Sequence, residues 1–101
     1  MWVMVMFDLP VGTEAARKAA NDFRNDLKGL GFAMAQYSVY LRHAASRGDC
    51  DHYIERIRTL LPEGGRVYIH CLTDKQYEQI VRFERRQKQG QLKNPEQFQL
   101  F

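Results

Sequence analysis

Few side chains in this 101-residue chain are placed to do chemistry, and the first is Asp8. It follows an unbroken apolar run, Met1-Trp2-Val3-Met4-Val5-Met6-Phe7, and precedes Leu9-Pro10, so a carboxylate stands where a hydrophobic strand gives way to a turn. A carboxylate there either holds a cation or begins an Asx-type turn through its own backbone. Ser38 offers a hydroxyl at the strand parity of Gln36 and Tyr40, to line the rim near Asp8 or to satisfy a neighbouring strand. His43, His52 and His70 have neither metal-ligand spacing nor an adjacent nucleophile, and no Gly-rich phosphate loop, zinc signature or hydrolase elbow is present. Cys50 and Cys71 lack a CxxC or a Cys/His spacing suited to zinc and lie in apolar-periodic segments. Buried free thiols in a reducing cytoplasm are the expectation.

The remaining candidates are cations. Residues 82–93 carry Arg82, Arg85, Arg86, Lys88 and Lys93 against a single acid, Glu84, and the net charge of +3 favours polyanionic partners. Arg42 ends a strand, and arginines at element ends reach a phosphate backbone without steric cost. Arg42, Arg85, Arg86 and Lys88 are therefore the candidate nucleic-acid contacts. Arg17, on the outer face of a helix, reads as solvated surface or as part of a phosphate track.

The elements that must position these groups follow from periodicity. With 45% hydrophobic and 27% charged residues, the chain has the makings of one core. Alternation puts Val3, Val5 and Phe7 on one face of the first strand and Trp2, Met4, Met6 and Asp8 on the other. The run is too short for a membrane span and lacks the flanks of a signal peptide. Thr13 caps a helix whose apolar positions Ala16, Ala20, Phe23, Leu27 and Leu30 end at Gly31. Residues 32–42 alternate as one second strand, and residues 49–61 form a second helix closed by the turn Pro62-Glu63-Gly64-Gly65. A third strand at 66–72, a short helix capped by Thr73 and a fourth strand at 80–83 complete an α+β, ferredoxin-like β-α-β-β-α-β plan over residues 1–84. Residues 85–101 are a basic linker ending in an alternating terminus, an extra strand with Phe98 and Leu100, suited to docking on its own sheet or a neighbour's edge.

In such a plan both long helices cover one sheet face and leave the other bare. Burying a large apolar side chain is worth about 1.5–3 kcal/mol, so half a dozen left in water forfeit on the order of 10 kcal/mol. That rivals the stability of a small domain. A sheet-to-sheet homodimer is therefore expected, with Met4, Met6, Ser38, Phe98 and Leu100 at its interface. At the rim of that two-fold interface Asp8 meets its own copy, and magnesium is the natural intermediary, since it takes one or two carboxylates, keeps waters and accepts phosphate oxygens.

Several segments carry a resemblance, in order along the chain: Met4-Val5-Met6-Phe7-Asp8-Leu9-Pro10, Phe23-Arg24, Gly31-Phe32, Gln36-Tyr37-Ser38-Val39-Tyr40, Leu61-Pro62 and Leu72-Thr73-Asp74-Lys75-Gln76. They resemble the Cas-two family, the smaller core protein of CRISPR adaptation. The resemblance implies a ferredoxin-like homodimer that bridges dimers of the Cas-one integrase and supports double-stranded DNA for insertion as a new spacer. It also implies magnesium-dependent endonuclease activity on RNA or DNA, with Asp8 as the metal-holding catalytic residue. A stand-alone or toxin-like nuclease is the alternative. A ferredoxin-like small-molecule sensor fits least, for want of a Gly-rich ligand loop.

Overall fold

The computed structural model describes residues 1–85. Strand β1, Trp2–Asp8, is central, with antiparallel neighbours on both sides in a four-stranded sheet of order β2-β3-β1-β4. Helix α1, Glu14–Gly29, starts where the Thr13 hydroxyl accepts from the Ala16 amide at 3.0 Å. It buries Ala20, Phe23 and Leu27 on one stripe, and Gly31 turns the chain at φ 88°, beyond the reach of an ordinary side chain. Helix α2, Arg47–Arg58, is capped by the Ser46 hydroxyl on the Asp49 amide at 3.2 Å, so it begins two residues before the position its apolar stripe suggests.

The β-α-β-β-α-β order holds, but different segments fill its slots. The expected single strand at 32–42 is a hairpin of β2, Ala33–Gln36, and β3, Val39–His43, folded at Tyr37 and Ser38. The turn reverses the parity: Gln36 pairs with Val39, whereas Tyr40 lies on the opposite, buried face. Strand β4, Arg66–Leu72, takes the fourth slot, beside β1. Residues 80–83 form no strand, because α3, Asp74–Glu78, carries the chain off the sheet edge and over its face. The expected terminal strand, with Phe98 and Leu100, and the cations Arg86 and Lys88 lie outside the described residues.

The core is formed where α1 and α2 meet Val3, Val5 and Phe7 of β1, with Phe23, Leu27, Phe32, Tyr40 and Ile57 closing round them. Burial pushes the Tyr40 phenol above its usual range, as expected for a hydroxyl without a hydrogen-bond partner in the core. The second face is not bare throughout. Thr73 and Gln76 form a reciprocal capping box that fixes the short helix α3, and Tyr77 stacks on Trp2 with centroids 4.1 Å apart and planes 16° from parallel. Ile80 then borders a cleft with Met4, Met6, Gln36 and Val39. This cover is local, and the end of the sheet that carries Asp8 stays open.

Candidate functional site

Strand pairing decides what surrounds Asp8, since residues directly opposite in an antiparallel ladder share a face. The open face of β1 bears Trp2, Met4, Met6 and Asp8, and β4 sets Leu72, His70, Tyr68 and Arg66 against them in the same order. On the other side, His43, Leu41 and Val39 of β3 oppose Trp2, Met4 and Met6. Beyond Val39 the hairpin turns, and the Phe7 amide donates to the Ser38 carbonyl at 3.1 Å, which brings the hairpin tip beside Asp8. A cleft of about 320 Å³ results, lined by Met6, Phe7, Asp8, Ser38, Val39, Arg66 and Tyr68.

Glycine holds this end together. Gly65 has φ 74°, and a Cβ there would fall on the Asp8 carbonyl oxygen and lie 3.0 Å from the Leu9 Cα. The turn entering β4 can therefore press against the chain leaving β1 only because residue 65 has no side chain. Behind the hairpin tip, the Arg24 guanidinium lies over the Tyr37 ring at 4.1 Å and the Phe7 ring at 5.3 Å. An α1 cation thus braces the tip from the helix side.

The other sequence candidates are distributed differently. Met4 and Met6 sit half-buried in the middle of the open face, and Ser38 is half-buried at its rim. Arg17 is exposed and donates from Nη1 to the Val11 carbonyl at 3.0 Å, tying α1 to the loop that follows Asp8. Arg42 opposes Val3 and so points to the helix side, where its guanidinium lies 4.5 Å over the Tyr53 ring and against Gly31. Its Nε is buried without a hydrogen bond, so it is a packing arginine far from the Asp8 cleft rather than a free one at a strand end. Arg85 is exposed at the limit of the described residues. Arg66 and Tyr68 escaped the sequence reading. Their signal was the strand parity of residues 66–72, which gains meaning only when Arg66 is known to lie opposite Asp8.

The Asp8 carboxylate is exposed and, among the described residues, makes no hydrogen bond or ion pair. Among the same residues no group of three histidine, cysteine or acidic side chains converges. One chain therefore supplies a single carboxylate in a cleft that Ser38 also lines. That donor set fits magnesium, which binds through one or two carboxylates while keeping water and phosphate ligands, and does not fit zinc.

Comparison with known proteins adds to this geometry. The family model described as CRISPR associated protein Cas2 matches residues 1–80. A protein of Paracidovorax avenae named CRISPR-associated endoribonuclease Cas2 is 50% identical over 101 residues, covering all of this chain and 94% of the relative. Proteins of the same name from Parvibaculum lavamentivorans and Flavobacterium psychrophilum are 43% and 39% identical over 101 residues, which span 100% and 88% of those relatives.

Proposed function

The chain belongs to the CRISPR-associated Cas2 family, and from that premise we propose that it is a magnesium-dependent endoribonuclease built as a two-fold homodimer. The observation that carries this reading is the unpartnered Asp8 carboxylate at the end of the central strand, on the rim of an apolar sheet face. Two copies joined through that face bring two Asp8 carboxylates to one rim. They would hold the metal between them, with Ser38 beside it. When bound, magnesium supplies charge to a phosphodiester and lowers the cost of making hydroxide from water. The protein's own part is to fix the carboxylate: β1 is held on both sides by ladders, the Ser38 carbonyl takes the Phe7 amide, and Gly65 seats the β4 turn on the Asp8 backbone.

The same dimer also suits CRISPR adaptation, as the piece that bridges dimers of the Cas-one integrase and supports a DNA duplex. A net charge of +3, with Arg17 and Arg85 exposed, supports that second role. One substitution separates the two. Asp8→Asn keeps the size and removes the charge, so it is expected to fold and dimerise, to lose magnesium-dependent cleavage of labelled RNA, and to keep spacer integration in cells. Cleavage retained by Asp8→Asn would overturn the metal site. Integration lost, with dimer and integrase binding intact, would put a catalytic metal into the adaptation step.

A further inference from the structure

The two cysteines of the chain come from separate elements and meet on the helix side of the sheet, away from the face that a second copy would cover. Cys71 of β4 lies opposite Val3 in the β1–β4 ladder and shares its face with Val67 and Ile69, all three packed against the core cluster. Cys50 lies in the first turn of α2, on the stripe that also buries Ile57. Where α2 packs on β4 the two thiols are hydrogen-bond neighbours, and both are free. Their access to water differs. Cys71 is half-buried on an outer strand of the sheet, whereas Cys50 has no exposed surface.

We propose that Cys50 and Cys71 are a redox pair: hydrogen peroxide oxidises Cys71, and Cys50 resolves the product to an intramolecular disulfide that a dithiol reverses. In the first step the Cys71 sulfur attacks one peroxide oxygen and the O–O bond breaks. The departing hydroxide takes the thiol proton as water and leaves a sulfenic acid. In the second, the Cys50 sulfur attacks the Cys71 sulfur, the S–O bond breaks, and hydroxide leaves with the Cys50 proton as a second water. One peroxide is reduced to two waters while two thiols become one disulfide. The order follows from access, since a small oxidant reaches the half-buried sulfur on an outer strand before the enclosed one. The second step needs no diffusion, because the fold already holds the resolving thiol against the first. Cys50 thereby stops oxidation at a reversible stage, before Cys71 can pass to the sulfinic acid. The bridge ties α2 to β4 from the side away from Asp8, so the redox pair stands apart from both the metal site and the homodimer.

The test is a mass. The full chain, freed of reductant, is held with a modest excess of hydrogen peroxide near neutral pH, and remaining thiols are blocked with iodoacetamide in denaturant. The count of free thiols should fall from two to none, and the intact chain should lose the mass of two hydrogen atoms. Trypsin without reductant should release residues 48–56 joined to residues 67–75, and dithiothreitol should restore both thiols. Cys50→Ser should leave Cys71 as a sulfenic acid that dimedone labels, and Cys71→Ser should leave Cys50 unreacted in the folded chain. The oxidised parent should unfold at a higher urea midpoint than the reduced one, because the bridge closes a loop of about twenty residues in the unfolded state. Two thiols still free after peroxide, with circular dichroism unchanged, would overturn the proposal. So would a bridge between Cys71 residues of two copies, seen as a doubled mass, or one that forms only once urea is added. Should either serine variant fail to fold, the mass of the parent decides.

Discussion

Asp8 and Cys50 are ionisable groups on opposite faces of one sheet, and their surroundings give them opposite characters. Asp8 faces water and is open to a cation, whereas Cys50 is wholly buried in the core with Cys71 of β4 packed against the same cluster. Burial, with a hydrogen bond from one thiol to the other, pushes Cys50 up to about 11 from its ordinary 9.0. A raised value means that the folded chain holds its proton longer than the unfolded chain does. The resulting stability is complete below pH 9 and is lost as pH rises toward 11. Urea midpoints should accordingly fall over that interval in the parent and fall less in Cys50→Ala, measured relative to each protein at pH 7. A thiol reagent at pH 8 should also leave Cys50 unmodified until the chain unfolds. At this scale the sequence disclosed Asp8, because one carboxylate interrupts a hydrophobic run, and it disclosed two free buried-type cysteines. It could not disclose Arg66, whose meaning depends on a neighbour more than fifty positions away in the chain. Nor could it show that Arg42 points to the helix side, a matter of which face its strand partner Val3 occupies.

Among the elements, the turn entering β4 carries the sharpest constraint. Gly65→Ala introduces a methyl group at φ 74° and onto the Asp8 backbone, so it should lower stability by about 2 kcal/mol or more and shift the Asp8 end of β1. Chemical denaturation gives the first quantity, and amide exchange at Phe7 and Asp8 reports the second. A change below 0.5 kcal/mol on the scale of ordinary surface substitutions would show that the turn yields instead. Thr73→Ala, by comparison, removes one half of a capping box and should cost about 1 kcal/mol, felt first in α3. The helices were legible because their caps, Thr13 and Thr73, and their apolar stripes agree. The hairpin was not, because Tyr37 and Ser38 carry none of the glycine, asparagine or aspartate that ordinarily marks a two-residue turn, and alternation on either side mimics one long strand. Residues 80–83 mislead in the same way. Their alternation is that of a strand, but α3 has already left the ladder, and Val81 and Phe83 end up 70% and 74% exposed.

For the whole molecule, the uncovered apolar face should govern association. Met6→Lys places a charge at the centre of that face, beside Val39 and Tyr68, and should convert the proposed homodimer to monomer in light scattering while the monomer keeps its helical circular dichroism. Dilution should lower the parent's melting temperature and leave that of Met6→Lys unchanged. A parent that melts identically across a hundredfold dilution and scatters as a monomer would remove the homodimer. The face also contains an instrument of its own. The chain has one tryptophan, and Trp2 is packed flat on Tyr77 from α3 with His43 edge-on at 5.0 Å. Its emission therefore senses whether α3 lies down on the sheet or has been lifted from it. An unlabelled sample in a fluorimeter can then follow, in real time and at submicromolar concentration, the moment at which anything displaces α3 from that surface.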